Sequence, residues 1–152
     1  MTRRESRKTA FSLIFQLPVN RMDYNELLEV ASEDEELELD AFCLQLLKDT
    51  IEHLDEIDAS IKPHLNKWSI QRLPKVSLAI LRLSCAQLFY QPELPDSVVI
   101  NEAVELAKTF GADDEYAFVN GALRSINEAR KAGVAEAEAS SIEAAKPEAP
   151  EA

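Results

Sequence analysis

Apolar residues recur at helical spacing along most of the chain, and this pattern predicts a protein built from α-helices. It is clearest in residues 95–123, where two apolar stripes flank the turn GADD at residues 111–114. We expect Asp96 or Ser97 to cap the first of these helices, and Gly111 to end it with a positive φ. Gly121 interrupts the second stripe at a cost of about 1 kcal/mol. A glycine there indicates that another backbone, or a ligand, comes close to the helix.

Further helices are predicted over residues 3–17, 24–31, 37–61 and 74–90. The segment 74–90 is apolar almost all round, which is typical of the central helix of a bundle. It nevertheless contains Arg82, whose charge must be paired or must reach a surface. Pro74 is expected at the first position of this helix, where a missing N–H costs little.

The composition favours a single all-helical domain followed by a tail. The chain has 152 residues, which is long enough to bury a sizeable core. It has only three glycines, which is few for the turns of a β protein and favours helices. No apolar stretch of about 18 residues is present, and no secretory signal is evident, so we expect a cytoplasmic protein without a membrane span. From Ala132 onward the sequence is rich in Ala, Glu and Pro. We therefore predict a folded domain over 1–131 and a disordered acidic tail over 132–152.

The net charge of −12 is distributed unevenly. Residues 1–21 carry +4, residues 22–61 carry −13, residues 62–131 carry +1, and the remainder carries −4. Cations at a helix amino terminus oppose the helix dipole, so the basic cluster at residues 3–8 is better explained by anion binding than by stability. The total charge is expected to weaken non-specific binding of nucleic acid, whereas the local field at the basic end permits a specific RNA contact.

The sequence contains none of the common catalytic motifs. It has no glycine-rich phosphate loop, no CxxC, no HExxH and no nucleophile elbow. We therefore expect no catalysis, no cofactor and no metal.

Four segments resemble the NusB family of transcription antitermination factors. They are RRESRKTAFSLIFQ at residues 3–16, AILRL at 79–83, INEAVELAKTFG at 100–111, and FVNGAL at 118–123. The resemblance implies an all-α compact bundle of about seven helices in two small subdomains. It also implies a partner, NusE, which is a small-subunit ribosomal protein, and binding of the pair to boxA-like single-stranded RNA in nascent, notably ribosomal, transcripts. The complex would assemble on RNA polymerase and suppress termination.

The resemblance also implies a set of RNA-binding residues, which are Arg3, Arg4, Arg7, Lys8, Arg82, Asp114 and Phe118. The four at the start of the first helix would contact phosphates or stack on bases. Phe118 would stack on an unpaired base, and core packing is the alternative for this ring. If the basic cluster and Phe118 both contact RNA, they are expected to lie on one continuous surface.

Three positions depart from the family pattern. Ser77 stands where an acidic residue is usual, and Ala86-Gln87 stands where the family has Tyr-Glu. The family uses this region for partner contact or for helix packing, so the departures concern the affinity for NusE rather than the fold.

Two alternative functions differ in class from an RNA-binding adaptor. In the first, the helices form a protein-interaction module that acts mainly as a homodimer, which would bury the basic surface. In the second, the chain corresponds to the NusB-like domain fused to certain RNA cytosine methyltransferases. The chain ends before any cofactor-binding domain, so the second alternative would make it a non-catalytic part.

Overall fold

The computed structural model describes residues 1–17, 23–66 and 68–145, and this part of the chain is helical without a strand. Seven α-helices follow one another: α1 Arg3–Phe15, α2 Tyr24–Ser32, α3 Ala41–Glu52, α4 Leu54–Ile61, α5 Lys75–Tyr90, α6 Asp96–Phe110 and α7 Glu115–Ala145. Two short 3-10 helices, Lys62–His64 and Ile70–Arg72, lie between α4 and α5. Pro18, where the first helix was predicted to stop, lies outside the described residues.

Helix α5 is the centre of the bundle, as its apolar sequence predicted. Ten of its sixteen residues are buried, and it packs against α1, α3, α4, α6 and α7. Helices α1 and α2 pack on α3, while α6 and α7 pack on each other. The predicted fold class, an all-α bundle of about seven helices, is confirmed. Pro74 precedes α5 as its N-cap and is not its first residue.

The long helix predicted over 37–61 is in fact two helices. It begins only at Ala41, because the side chain of Asp40 caps the backbone there. It breaks at His53, whose φ of −110° and ψ of 21° are not helical. At this break the His53 ring stacks on the ring of Tyr90 in α5, with centroids 4.0 Å apart. Such a tertiary contact leaves no periodic signal in the sequence.

Helix α6 ends at Gly111 as predicted, but the cap predicted for its start and the positive φ predicted for Gly111 were wrong. Its N-cap is Pro95, and Asp96 makes no cap hydrogen bond. Asp96 instead accepts a hydrogen bond from Asn127 at 3.1 Å and thereby ties α6 to α7. Gly111 has a φ of −92°, so no left-handed backbone requires it. A Cβ there would lie 2.7 Å from the Ala107 carbonyl oxygen, so lack of space explains the glycine.

Gly121 faces open space, because a Cβ there would have no neighbour within 4 Å. The expectation that another part of the chain packs closely on this glycine is therefore wrong for the described residues. Approach of a ligand or partner stays a prediction.

Helix α7 continues to Ala145, well beyond residue 131 where the folded domain was predicted to end. Regular helix therefore follows Ala132 where irregular chain was expected. The division of the chain into a domain over 1–131 and a tail stays a prediction, and residues 146–152 lie outside the described residues.

Asp40 joins the starts of α1 and α3, and Asp40→Ala is expected to lower the free energy of unfolding by about 1–2 kcal/mol at pH 7. Its carboxylate accepts hydrogen bonds from the Ser6 hydroxyl at 2.5 Å and from the Cys43 backbone N–H at 2.8 Å. The bond from Ser6, and then that from Cys43, hold the pKa of Asp40 below its usual range. This stabilisation is fully present above the unfolded pKa of about 3.9 and is lost as the pH falls through the lower folded pKa.

Urea denaturation followed by circular dichroism at several pH values measures this effect. The exposed Glu29 on α2 provides a matched control, Glu29→Ala. The difference in the free energy of unfolding between Asp40→Ala and the unchanged protein should disappear in acid. A difference that stays constant down to pH 2 would contradict a role for the Asp40 carboxylate.

Candidate nucleic-acid interface

The basic start of α1 is fixed by its own capping residues. The Thr2 hydroxyl accepts a hydrogen bond from the Glu5 backbone N–H at 3.1 Å, and the Glu5 carboxylate accepts one from the Thr2 backbone N–H at 2.8 Å. This reciprocal pair is a capping box. The carboxylate of Glu5 also offsets part of the repulsion between the helix dipole and the neighbouring cations. The sequence thus presents its cations on an ordered first turn.

Arg3 and Lys8 are exposed and rest on aromatic rings. The guanidinium carbon of Arg3 lies 4.2 Å from the centroid of the Phe42 ring on α3. The Lys8 Nζ lies 5.6 Å from the centroid of the Phe110 ring at the end of α6. Both distances are within the range of cation–π attraction. Each cation is oriented by a ring and stays open to an anion from the solvent.

Arg4 is exposed but already has an anionic partner. Its Nε and Nη2 donate to the two carboxylate oxygens of Glu102 on α6, at 3.1 and 2.9 Å. This hydrogen bond raises the pKa of Arg4 and lowers the pKa of Glu102. An RNA phosphate at Arg4 would have to compete with Glu102, so Arg3 and Lys8 are the stronger candidates.

Arg7 differs from the other three basic residues because it is only 5% exposed. Its Nε donates to the amide oxygen of Gln87 on α5 at 2.7 Å. A phosphate could therefore reach no more than the edge of its guanidinium group. Contact between Arg7 and RNA stays a prediction.

Phe118 lines an open pocket of about 400 Å³ between the start of α5, the α6–α7 turn and the start of α7. The lining residues are Trp68, Leu73, Pro74, Ser77, Ala112, Asp113, Asp114, Glu115 and Phe118. The Phe118 ring is half-buried and also packs against the hydrophobic core. Core packing, the alternative expected for this ring, is therefore observed, and its stacking on an RNA base stays a prediction.

The α6–α7 turn is held in shape by Glu115. Its carboxylate accepts a hydrogen bond from the Ser77 hydroxyl at 2.9 Å and another from the Ala112 backbone N–H. Asp113 and Asp114 are exposed beside the pocket. Their carboxylates repel phosphates but can accept hydrogen bonds from base amino groups, so this end suits bases better than the RNA backbone.

Arg82 forms an ion pair that explains its position in an otherwise apolar helix. Its Nε and Nη2 donate to the two carboxylate oxygens of Asp58 on α4, at 2.9 and 2.8 Å. Both side chains are mostly buried, 16% and 18% exposed. Arg82 also lines a second groove of about 690 Å³, together with Phe15 on α1 and Leu73. Its proposed RNA contact is thus not needed to account for its burial.

The predicted site residues are connected through shared neighbours. Phe110, which lies under Lys8, comes directly before the turn that forms the Phe118 pocket. Leu73 lines both that pocket and the groove that holds Arg82. That one continuous surface carries the basic start of α1 and Phe118 stays a prediction.

A sequence model of the NusB family matches residues 4–128. The chain belongs to the NusB family. The transcription antitermination protein NusB of Lysinibacillus sphaericus is 41% identical over 128 residues, which is 84% of this chain and 98% of that protein.

Solved structures of NusB proteins have the same fold. A crystal structure of the antitermination factors NusB and NusE in complex with double-stranded RNA matches with a TM-score of 0.73 and 28% identity, over 84% of this chain and 96% of that one. The solution structure of NusB from Aquifex aeolicus matches with a TM-score of 0.70 and 28% identity, over 97% of this chain and 95% of that one.

The three departures from the NusB pattern, Ser77, Ala86 and Gln87, are all buried. The Ser77 hydroxyl donates a hydrogen bond to the Glu115 carboxylate, and the Gln87 amide oxygen accepts one from Arg7. Helix packing, one of the two roles expected for these positions, accounts for all three in the described chain. A partner could contact them only after a rearrangement, so an effect on NusE affinity stays a prediction.

Several residues around the NusB site were not predicted from the sequence. Phe42, Asp58 and Glu102 orient Arg3, Arg82 and Arg4 respectively. Each comes from a helix distant in sequence from its cation, so helical spacing could not pair them. Trp68, in the connector before α5, lines the Phe118 pocket and is 53% exposed.

Among the residues that the structure describes, no group of three or more His, Cys, Asp or Glu side chains could hold a metal ion. No described helix is both long and apolar enough to cross a membrane.

Proposed function

We propose that this protein is a non-catalytic transcription antitermination factor of the cytoplasm. It binds boxA-like single-stranded RNA in nascent transcripts, notably those of ribosomal RNA, together with NusE. The complex then assembles with RNA polymerase and suppresses termination. Membership of the NusB family supports this proposal, as does the similarity to a NusB that was solved with NusE and RNA.

The observation that carries the proposal is the pairing of exposed cations with an aromatic pocket. Arg3 and Lys8 are positioned by rings and accessible, which suits phosphate oxygens. The Phe118 pocket presents an aromatic wall beside exposed carboxylates, which suits an unstacked base. A single strand with its phosphates on α1 and a base in the pocket would use both.

This function is tested by measuring the binding of a fluorescently labelled boxA-like RNA. Fluorescence anisotropy is recorded at two salt concentrations, with and without NusE. We expect binding that prefers the boxA-like RNA to a scrambled sequence, that NusE strengthens, and that weakens with salt. Absence of binding in both conditions would overturn the proposal.

Sedimentation of the same samples separates the adaptor from the homodimer module. The adaptor function predicts that RNA binds without a stable dimer of this chain. A dimer that excludes RNA and does not dissociate on its addition would instead favour the interaction module.

The double variant Arg3→Ala/Lys8→Ala is expected to bind every RNA sequence more weakly and with less salt dependence. Each phosphate contact on a single strand contributes about 0.7 to the slope of log K against log salt, so two lost contacts should reduce the slope by about 1.4. The pair Lys48→Ala/Lys62→Ala removes two exposed cations that line neither the Phe118 pocket nor the groove of Arg82, and it serves as the matched control. Equal slopes for both double variants would reject Arg3 and Lys8 as phosphate contacts.

A further inference from the structure

The buried cation Arg7 has a neutral partner. Its one described hydrogen bond goes to the Gln87 amide oxygen at 2.7 Å, and among the described residues it forms no ion pair with a carboxylate. Glu102 is the acidic side chain that acts on it electrostatically, and the hydrogen bonds of Glu102 go to Arg4. Arg7 is therefore held in place by a neutral group, and Glu102 offsets its charge only through space.

A second cation shares the same aromatic ring. The guanidinium carbons of Arg3 and Arg7 lie 4.2 and 5.2 Å from the centroid of the Phe42 ring. Burial lowers the pKa of Arg7, and the charge of Arg3 lowers it further, although Glu102 opposes both effects. Arginine stays charged at neutral pH regardless. Two like charges at one ring repel each other, and an anion bound at this point would relieve the repulsion.

The guanidinium group of Arg7 is not sealed off from the solvent. Within the described chain, no fully buried side-chain nitrogen or oxygen lacks a hydrogen-bond partner. The Arg7 nitrogens that do not bind Gln87 are consequently in contact with solvent at the edge of the guanidinium group. Since Nε is fixed by Gln87, these donors are presented in a constant direction.

We infer that Gln87 is a positioning residue for RNA binding: it orients Arg7 and, being neutral, leaves the Arg3–Arg7 pair at Phe42 without a hydrogen-bonded carboxylate, so that the pair can attract an RNA phosphate. This inference rests on the proposed function. It assigns to Gln87 a role toward RNA in place of the direct NusE contact considered from the sequence.

Gln87→Glu is the decisive variant, because it replaces the amide by a carboxylate of nearly the same shape. The new carboxylate would neutralise Arg7 without removing its hydrogen bond. We expect affinity for boxA-like RNA to fall about tenfold at low salt, the loss of roughly one charged contact. The slope of log K against log salt should become smaller by about 0.7, and the thermal unfolding temperature should stay the same or rise.

Gln87→Met is the matched control, because it keeps the length of the side chain and removes the acceptor while leaving Arg7 charged. It should lower the unfolding temperature and weaken RNA binding, because Arg7 loses the hydrogen bond that orients it, but the salt slope should stay close to that of the unchanged protein. If the role of Gln87 were purely structural, both variants would change the unfolding temperature, and neither would change the slope of log K against log salt.

The outcomes distinguish this inference from the function on which it rests. If the unchanged protein fails to bind RNA, the proposed function is wrong. If the unchanged protein binds and Gln87→Glu has the same affinity and slope, the function stands and the inference is overturned. A loss of NusE binding without a loss of RNA binding in Gln87→Glu would overturn it as well.

Discussion

Phe118→Ala is expected to weaken binding of boxA-like RNA by about 5- to 150-fold. This range corresponds to the stacking of one base on an aromatic ring, about 1–3 kcal/mol. The Phe118 ring is half-buried, so one part of it faces the pocket while another part packs on the core. Anisotropy titration at a fixed salt concentration measures the loss.

The packing of Phe118 on the core requires a variant that separates stacking from stability. Phe118→Leu keeps much of the apolar volume but has no π face, so it should lose most of the RNA affinity and less of the stability. The neighbouring Val119 is fully buried, and Val119→Ala should lower stability with little effect on RNA binding by the folded protein. If Phe118→Leu binds RNA as tightly as the unchanged protein, base stacking on this ring is ruled out.

The periodicity of apolar residues predicts most of the fold. Helix α5 is apolar on all sides, and its burial at the centre follows from that. The break at His53 lies where its ring stacks on Tyr90, a contact between two helices that periodicity does not carry. The cap of α6 was misplaced because Asp96 serves a tertiary bond to Asn127 rather than a local one. Local signals thus predict helices, and contacts between helices decide their ends.

The same periodicity carries only a partial signal about the candidate site. Arg7 precedes the buried Ala10, Phe11 and Ile14 by three, four and seven residues, which agrees with its place on the inward face of α1. Arg3 and Arg4 precede Ala10 and Phe11 by seven residues, so the same spacing would place them inward, yet both are exposed at the first turn. Spacing alone does not show which cation is buried. It could not have supplied the partners that fix them, since these come from α3, α5 and α6.

Arg82→Met is expected to lower the free energy of unfolding by about 2–4 kcal/mol. Removing one partner of a fully buried ion pair costs about 3–5 kcal/mol, because the other charge is left unpaired. The pair of Arg82 with Asp58 keeps some contact with solvent, which reduces the effect. Methionine retains most of the aliphatic stem, so the loss reports on the charge and its hydrogen bonds rather than on a cavity. Urea denaturation measures it.

Asp58→Asn distinguishes the ion pair from an RNA contact. This variant also breaks the pair and should lose stability, but it leaves the guanidinium group of Arg82 free beside its groove. If Arg82 contacts RNA, Asp58→Asn should bind RNA at least as tightly as the unchanged protein, while Arg82→Met binds less tightly under conditions in which both are folded. Equal RNA affinity in all three proteins would show that Arg82 serves α4 and α5 alone. The RNA surface would then reduce to the start of α1 and the Phe118 pocket.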